Sequence, residues 1–257
     1  MILRVEQAPR TPPFERMDRV GVVLPAYNEE RHLEQVVRAA LGVGVGRVVA
    51  VNDCSTDSTP EILDRLARDE RVEALHHGVN QGKQAAVKHG LQAIVNRDDI
   101  RAVAVLDADM QTDPALLAGH CRHVGAYDVV IGRRSQVEMP FIRRLANALA
   151  NAPYQILAGL PVHDIQSGFR LYTREVAAYL ADHLPETGRY SLEHTAILLV
   201  GRLAAERGRE YRIAEVEVPC PYGRAESSIR LRDNLQLTRV SLAYAYRLSR
   251  LRRGETD

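Results

Sequence analysis

Two aspartates stand two residues apart at the end of an apolar segment, in the run Val103-Ala-Val-Leu-Asp107-Ala-Asp109-Met-Gln111. On an extended backbone, side chains at positions i and i+2 leave the same face, so the two carboxylates point the same way. Carboxylate oxygens and the amide oxygen of Gln111 are hard ligands of the kind that Mg²⁺ or Mn²⁺ prefers, and such ions commonly hold nucleotide phosphates. The run therefore predicts a metal and phosphate site. The alternative is a solvated acidic turn ahead of a helix that starts near Asp113.

Two further polar loops follow apolar segments earlier in the chain. The first is Leu24-Pro-Ala-Tyr-Asn-Glu-Glu30, and the second is Val51-Asn-Asp-Cys-Ser-Thr-Asp-Ser-Thr59. The carboxyl ends of parallel strands meet at one edge of a sheet and bind ligands there, so the three loops are expected to line one crevice. Asp53 can then accept the ring N–H of a uracil or guanine while metal-bound phosphates sit on the acidic pair. Each loop alone is equally compatible with ordinary turn chemistry.

The segments that carry these loops alternate between short apolar runs and runs of helical periodicity, as expected of a mainly parallel sheet covered by helices. The predicted strands are Val20–Leu24, Arg47–Val51, Val72–Leu75, Ala102–Leu106 and Asp128–Ile131. The helices predicted between them are Glu30–Leu41, Thr59–Arg68, Lys83–Val95 and Asp113–Val124. After Gly132 the alternation stops. The remaining chain predicts a helix over Pro140–Leu160 that breaks near Pro153, a loop, two more helices, a strand over Ile213–Val218 and a C-terminal helix.

Composition narrows the class of protein. The 257 residues, 46% of them hydrophobic, are enough to bury a full core in one large domain, with or without an appended subdomain. A net charge of +1 provides no overall basic field, so no nucleic-acid partner is expected. The three cysteines lack metal-ligand spacing and cannot all pair, which indicates a reduced cytoplasmic setting. No signal-peptide core and no apolar run long enough to span a bilayer is found, and peripheral membrane contact stays open.

Six motifs follow one another in a recognisable order. They are Leu24-Pro-Ala-Tyr-Asn-Glu-Glu30, Val51-Asn-Asp-Cys-Ser-Thr-Asp-Ser-Thr59, Asn80-Gln-Gly-Lys83, Asp107-Ala-Asp-Met-Gln111, Gly132-Arg-Arg134 and Gln166-Ser-Gly-Phe-Arg170. This series resembles that of family 2 glycosyltransferases, and it is most similar to the branch of dolichyl-phosphate mannose synthases and bacterial polyprenyl-phosphate glycosyltransferases. The resemblance implies an α/β fold of the GT-A type, a Rossmann-like, mainly parallel sheet flanked by helices, with a C-terminal acceptor-side region. It also implies a nucleotide-diphosphate-sugar donor.

Roles for the donor side follow from these motifs. The residues expected to bind the donor are Pro25, Ala26, Tyr27, Glu29, Val51, Asp53, Lys83, Asp107, Ala108 and Arg134. The metal, Mg²⁺ or Mn²⁺, is assigned to Asp109 and Gln111 with Asp107 beside them, and Asp109, Arg134 and Arg170 are expected to be catalytic. Lys83 follows Gly82 at a helix start, where backbone N–H groups favour an anion. Phosphate binding and a solvated lysine both stay open there.

The acceptor decides which further groups are needed. The resemblance implies that the acceptor attacks the anomeric carbon with inversion. A lipid phosphate is already ionised near neutral pH and needs cations to hold it. The candidates for this role are Arg143, Arg144, Arg170 and Arg224. A hydroxyl acceptor instead requires a general base, for which Asp164 and Glu193 are the candidates.

The chain departs from the family pattern in two places. Asn52-Asp53-Cys54-Ser55 stands where many relatives read Asp-Asp-Gly-Ser, so the second acid is kept and its neighbours differ. Gly223-Arg-Ala-Glu-Ser-Ser228 stands where relatives often have Gly-x-Ser-Lys. Arg224 or Arg230 is therefore expected to replace a lysine that touches phosphate.

Two helical segments are amphipathic. In the mid-chain helix an apolar stripe, explained by core packing, runs beside a polar one made of Arg143, Asn147, Asn151 and Gln155. The apolar stripe consists of Phe141, Leu145, Leu149, Ala152 and Ile156. The C-terminal segment combines the apolar positions Leu237, Val240, Tyr244, Leu248 and Leu251 with Arg239, Arg247 and Arg250. Such a basic helix can lie on an anionic membrane, but packing with a solvated face is the favoured prediction.

The sequence thus predicts an N-terminal extension over residues 1–18, a glycosyltransferase domain over 19–231 and a basic amphipathic helix over 232–257. Within the domain, residues 19–134 form the nucleotide-sugar half and 135–231 the acceptor half. The predicted activity is metal-dependent, inverting transfer of a mannose- or glucose-type hexose from GDP- or UDP-hexose to polyprenyl or dolichyl phosphate, at the cytoplasmic face of the cell membrane. The alternatives are a soluble hydroxyl acceptor and a non-catalytic nucleotide-sugar-binding subunit.

Overall fold

One sheet organises the part of the chain described by the computed structural model, namely residues 3–7, 16–135, 139–186, 192–219 and 231–255. Its strands are β1 (Leu3–Gln7), β2 (Val20–Ala26), β3 (Arg47–Asn52), β4 (Val72–His76), β5 (Ala102–Val105), β6 (Val129–Arg134), β7 (Arg170–Thr173) and β8 (Tyr211–Val218). The α-helices are α1 (Leu33–Gly42), α2 (Thr59–Leu66), α3 (Lys83–Val95), α4 (Leu117–Cys121), α5 (Phe141–Ile156), α6 (Arg174–His183), α7 (Leu192–Arg207) and α8 (Leu231–Arg252).

The strands lie in the order β1-β8-β6-β7-β5-β2-β3-β4. All the neighbouring pairs are parallel except those made by β7, which runs antiparallel between β5 and β6. The register places Arg170, the first residue of β7, opposite Val105 at the end of β5 and opposite Ile131 in β6. The loop before β7 is therefore delivered to the edge at which the parallel strands end.

Two hydrophobic cores cover the two faces of the sheet. Along β2, Val23 belongs to one core and Val22 and Leu24 to the other, as the alternation of side chains in a strand requires. The first core is completed by α3, α5, α6, α7 and α8, and the second by α1, α2 and α4. This double cover explains why the strands read as nearly continuous apolar runs.

The α/β fold and each of the predicted strands are confirmed, with differences at three points. β7 is missing from the sequence prediction, because four residues that begin with an arginine and lead straight into α6 give no periodic signal. β1 lies within residues 1–18, which the sequence analysis treats as an extension, and it pairs in parallel with β8. The helix predicted over Asp113–Val124 is a 3₁₀ turn, Pro114–Leu116, followed by the short α4.

Pro153 does not break α5. The helix continues to Ile156, and the backbone N–H of Leu157 donates to the carbonyl of Pro153 at 2.9 Å. Proline removes one donor and crowds the preceding turn, and here both consequences fall close to the C-terminus of the helix, where little of the hydrogen-bond ladder remains.

The two faces of α5 are the reverse of the prediction. The stripe expected in the core is exposed, with Phe141 70% and Ile156 78% accessible, whereas Asn147 and Asn151 are buried. The reason is the irregular segment after the helix. The amides of Asn147 and Asn151 donate to the His163 carbonyl, and the Asn151 side chain accepts from the backbone N–H of Ile165 at 2.9 Å. Buried backbone groups outside regular structure need such partners, so the two asparagines of the polar stripe turn inward, while Gln155 at its end stays exposed.

The C-terminal helix packs as predicted. Ala245 and Leu248 are fully buried in the first core, and Tyr244 and Leu251 pack against it. Arg239 and Arg247 are exposed. Leu237 lies outside the residues whose side chains are described.

Gly90 lets α3 lie close against strand β2 of the sheet. A Cβ there would lie 2.4 Å from Cγ1 of Val23, whereas a Cβ on Gly42 of α1 meets nothing within 4 Å. We expect Gly90→Ala to lower the free energy of unfolding by about 1–3 kcal/mol through overpacking. Gly42→Ala, the matched control, should raise it by up to about 1 kcal/mol. Urea denaturation of both variants tests this, and equal effects would contradict the packing described.

Candidate active site

Three strand ends and one strand start meet at a single edge of the sheet. A cleft of about 280 Å³ opens there between the ends of β2, β3 and β5. We call this cavity the main cleft. It is lined by Pro25, Ala26, Tyr27, Glu29, Asp53, Lys83, Ala86, Asp107, Ala108 and Asp109. A smaller side recess shares Asp107 and Asp109 and adds Leu106, Gln111, Thr112, Arg134, Gln166, Ser167, Gly168 and Phe169. The structure thus brings together most of the predicted donor and metal residues.

The first two loops are held together by hydrogen bonds between them. Asn28, at a φ of 56°, donates its backbone N–H to Ser55 Oγ at 3.0 Å and accepts from the N–H of Thr56 at 2.8 Å. The N–H of Glu29 donates to Thr59 Oγ1 at 2.9 Å. Turn-forming residue types therefore supply the fixed geometry of this side of the main cleft.

Four carboxylates line the main cleft, and the pKa values of two of them, Glu29 and Asp109, are raised. Burial, together with the charges of Asp109 and Asp107, raises the pKa of Glu29 to about 7. Burial and the neighbouring Asp107 also raise the pKa of Asp109, although its Oδ1 accepts from the N–H of Gln111 at 3.0 Å. Like charges in a partly desolvated site repel one another, so this side of the cleft favours a cation.

Lys83 neutralises Asp107 rather than Asp109. Its Nζ lies 2.8 Å from Asp107 Oδ1 and 3.0 Å from Glu193 Oε1. Burial opposes the charge on Lys83, but the two carboxylates outweigh it and raise the pKa of the ammonium group. Lys83 therefore lines the cleft as part of a bridge between α3, the acidic pair and α7.

Gly168 explains why the Gln166–Arg170 motif belongs to this site. A Cβ at position 168 would lie 2.2 Å from Oδ2 of Asp107 and 2.9 Å from its Cγ. Only a glycine allows the loop before β7 to pass directly against the carboxylate. The sequence analysis does not single out Gly168, and its place inside a recognised motif is the one signal that points to it.

Asp53 sits at the bottom of the main cleft and is 3% exposed. The backbone N–H groups of Gln81 and Gly82 donate to its two oxygens at 2.8 and 2.7 Å. The ring Nδ1 of His77 lies 2.8 Å from Asp53 Oδ1, and His77 Nε2 lies 2.8 Å from His89 Nδ1. The anion at the start of α3 is therefore a protein side chain, and His77 holds it in place.

Arg134 is aimed by Asp164. The carboxylate of Asp164 is fully buried and accepts from the backbone N–H, Nε and Nη2 of Arg134 at 3.0, 2.8 and 2.7 Å. The backbone of Asp164 is held in turn by Glu215, whose Oε1 accepts its N–H. Arg134 reaches the side recess from this fixed base.

Neither predicted general base is placed to act as one. Asp164 is committed to Arg134, and Glu193 is tied to Lys83. Burial works against the charge on Glu193, but Lys83 and Arg170 outweigh it and lower the pKa to about 2. A carboxylate with so low a proton affinity is a weak base, so the structure does not support either prediction.

Arg170 and Val51 are also placed differently from the prediction. Arg170 is 2% exposed, and its guanidinium donates to the backbone carbonyls of Ser167, Glu193 and Ile165. It braces the loop before β7 from a buried position, so the structure does not support the predicted catalytic and phosphate-binding roles. The side chain of Val51 is fully buried in the core below the cleft.

Two further acceptor candidates, Arg143 and Arg144, are not among the residues that line the main cleft or the side recess. Arg143 and Arg144 are on the first turn of α5, where Arg144 is exposed. Arg224 and Arg230, together with the stretch Gly223–Ser228, lie outside the described residues.

The donor set fits a hard divalent cation held by few protein ligands. Among the residues that the structure describes, no group of three or more His, Cys, Asp or Glu side chains is arranged to hold a metal ion. Mg²⁺ and Mn²⁺ sites that also use substrate phosphates need only one or two carboxylates. Asp109 has the matching chemistry, because it carries oxygen ligands and an unneutralised charge in a partly buried position.

Comparison with known proteins identifies the family. Residues 21–180 match the family described as Glycosyl transferase family 2. The chain belongs to glycosyltransferase family 2. The motif order in the sequence and the GT-A architecture of the sheet agree with this assignment, and the protein is accordingly a glycosyltransferase.

Among its relatives, the chain is similar to glycosyltransferase AglD of Haloferax volcanii, with 30% identity over 65% of this chain and 28% of that protein. It is 33% identical to the undecaprenyl-phosphate 4-deoxy-4-formamido-L-arabinose transferase of Pseudomonas aeruginosa, over 62% of this chain and 48% of the transferase. The chain thus spans about half or less of the length of these two relatives. An uncharacterized protein of Methanocaldococcus jannaschii is 30% identical over 71% of this chain and 75% of its own.

The solved structures that it resembles share the fold. Glucosyl-3-phosphoglycerate synthase from Mycobacterium tuberculosis, in complex with phosphoglyceric acid, aligns with a TM-score of 0.65 at 21% identity, covering 93% of this chain and 81% of that one. The same enzyme with Mn²⁺ and UDP-glucose aligns with a TM-score of 0.64 at 20% identity, over 100% and 88% of the two chains.

Gly168→Ala tests the contact between the loop before β7 and Asp107. The new Cβ must displace the carboxylate, and a displacement of about 1 Å at a binding group commonly costs tenfold or more. We expect nucleotide-sugar binding, measured by calorimetry with Mn²⁺, to weaken at least about tenfold. Gly119→Ala is the control, since its Cβ would lie 3.7 Å from Arg122 Nη2. Equal affinities of the two variants would refute the contact.

The raised pKa of Glu29 predicts that the folded protein loses stability as the pH rises. Its pKa is about 7 in the folded protein and near 4.5 ordinarily, so between these values a rise in pH favours the unfolded chain, which releases the proton first. Without divalent ions, Glu29→Gln should therefore melt about 3 °C above the wild type at pH 8. The difference should shrink at pH 5.

The control for this experiment is Glu61→Gln on α2, where the side chain is exposed. Thermal unfolding followed by circular dichroism gives the melting temperatures. A Glu29→Gln variant that melts below the wild type at pH 8 would show that burial and repulsion do not dominate at this carboxylate.

Proposed function

We propose that this glycosyltransferase moves a mannose- or glucose-type hexose from a GDP- or UDP-sugar to a polyprenyl phosphate, with inversion and with a divalent cation. The proposal depends on the carboxylates of the main cleft, which repel one another and so favour a cation. The guanidinium of Arg134 lies next to them in the side recess. A metal-bound diphosphate complements both parts of this arrangement.

The donor is expected to bind with its base toward Asp53 and its diphosphate toward Asp109. Asp53 has two carboxylate oxygens, and each accepts one or two protein hydrogen bonds, which leaves acceptor capacity toward the cleft for the ring N–H of uracil or guanine. Asp109, with Asp107 and Gln111 beside it, would hold Mg²⁺ or Mn²⁺. Bound there, the ion offsets the negative charge that develops on the leaving nucleoside diphosphate.

Arg134 is the protein's own cation at the reacting end. Because Asp164 binds it through both oxygens, the guanidinium keeps one orientation, and little conformational entropy is lost when phosphate binds. Arg134 would contact the diphosphate or the acceptor phosphate from the side recess. The family motif that contains Arg134 favours contact with the diphosphate.

The ion pairs of Asp164 and Glu193 favour a phosphate acceptor. Both are bound to cations, and Glu193 has a pKa of about 2, so neither can readily take a proton from a hydroxyl group. An ionised lipid phosphate attacks without a base. The relatives named as undecaprenyl-phosphate transferases support the same acceptor class, whereas the structural neighbour with bound phosphoglyceric acid supports the soluble alternative.

The decisive experiment is transfer of labelled hexose by the full chain. GDP- and UDP-sugars are supplied with Mn²⁺ or Mg²⁺ and a short-chain polyprenyl phosphate in detergent, and organic-extractable label is counted. We expect label in the organic phase with one donor, and loss of it with EDTA. Asp109→Asn should lower the rate at least about 100-fold, while Asp99→Asn, at an exposed position, should not.

The other outcomes identify the alternatives. If the label stays in the water phase, attached to a phosphorylated acceptor through a hydroxyl group, the acceptor is a soluble molecule and not a lipid. Metal-dependent donor binding without transfer to any acceptor would favour a non-catalytic nucleotide-sugar-binding subunit. If the Asp109→Asn variant transfers hexose at the wild-type rate, Asp109 is not the metal ligand.

A further inference from the structure

The outer face of α5 is apolar and exposed. The stripe made of Phe141, Leu145, Leu149, Ala152 and Ile156 follows one side of the helix, and its large members are 50 to 78% accessible. Sixteen residues of helix are about 24 Å long, so the stripe forms an extended ridge. Single exposed apolar residues are common on proteins, but a continuous ridge of them marks a surface that binds something.

The polar face of the same helix is already occupied. Asn147 and Asn151 bind the His163 carbonyl, and Gln155 Nε2 donates to the Val162 carbonyl at 2.8 Å. Rotating α5 to bury its apolar stripe would break these bonds and release the segment that carries Asp164. The outward orientation of the stripe is therefore built into the support of the active site.

The charged residues of α5 are all positive, and basic residues outnumber acidic ones on the helix beside it. The helix contains Arg143 and Arg144 and no acidic residue. The neighbouring α8, which packs against α5, adds Arg239, Arg247, Arg250 and Arg252 and no acid between Thr238 and Arg252, while Glu255 just after the helix pairs with Arg250 and Arg253. On α8 the side chains of Arg239, Leu242, Tyr246 and Arg247 are exposed. An apolar ridge with basic neighbours matches an anionic lipid surface.

We propose that the apolar stripe of α5 docks on an anionic lipid bilayer and lies in its interface. The proposal extends the proposed function, since a polyprenyl phosphate resides in such a bilayer. α5 begins seven residues after Arg134, so docking through this helix brings the side recess next to the membrane surface. In the described part of the chain no helix is both long and apolar enough to cross a membrane.

A second copy of the chain is the less favourable occupant. Two-fold self-docking brings the same patch against itself, and here it would set arginine against arginine with no acid on α5 to compensate. Anionic headgroups provide the missing negative charge. Charge complementarity therefore selects the lipid.

The test uses two variants at the same positions. Leu145→Gln/Leu149→Gln removes the apolar character, and Leu145→Met/Leu149→Met keeps it with nearly the same size and helix propensity. Both positions are half exposed, so melting temperatures should stay near that of the wild type. Binding is measured by co-sedimentation with vesicles of phosphatidylcholine alone or mixed with phosphatidylglycerol.

We expect the wild type and the Met variant to bind the phosphatidylglycerol vesicles and to bind phosphatidylcholine weakly. The Gln variant should lose at least about tenfold in partitioning. No binding by the wild type, or equal binding by the Gln variant, would overturn the proposal. So would a wild-type dimer in sedimentation velocity that the Gln variant dissociates without any vesicle binding.

Transfer in detergent separates this inference from the proposed function. If short-chain polyprenyl phosphate is glycosylated in detergent but vesicles are not bound, the docking surface is wrong and the function stands. If vesicles are bound in the predicted order but no lipid is glycosylated with any donor, the docking surface stands and the lipid acceptor is wrong.

Discussion

The site depends on holding two carboxylates together at one edge of the sheet against their mutual repulsion. Asp107 and Asp109 leave the end of β5 on the same side, and Glu29 approaches them from the neighbouring strand. The raised pKa values of Asp109 and Glu29 report the cost of this arrangement. A folded chain tolerates such a cost only where the surrounding structure is firmly determined, and much of the rest of the molecule supplies that determination.

Two supports converge on Asp107. Lys83, at the start of α3, neutralises it and is itself anchored by Glu193 of α7. Gly168, in the loop before β7, passes so close that no side chain fits between them. Both supports come from segments distant in sequence, and Gly168 reaches the carboxylate because β7 is inserted between β5 and β6 in the opposite direction. The antiparallel strand is thus the topological feature that completes the site.

A second line of support runs from the surface inward. The asparagines of α5 hold the segment around His163, that segment carries Asp164, and Asp164 fixes Arg134. This chain of contacts explains two facts with one cause. It orients the cation of the side recess, and it turns the apolar stripe of α5 outward. Catalytic geometry and surface character are therefore linked in this half of the protein.

The alternating strands and helices, the meeting of three loops at one edge and the family could all be predicted from the amino-acid sequence, because each depends on local periodicity or on residue types within short motifs. Which side chains remain available to a ligand depends on contacts between distant segments, and these appear only in the folded structure. Arg170 has the right charge for phosphate, yet backbone carbonyls take up its guanidinium, and Asp164 and Glu193 are acids committed to cations. Amphipathicity likewise reveals that α5 has two faces but not which one is buried, since that depends on unpaired backbone groups in a segment that folds against it.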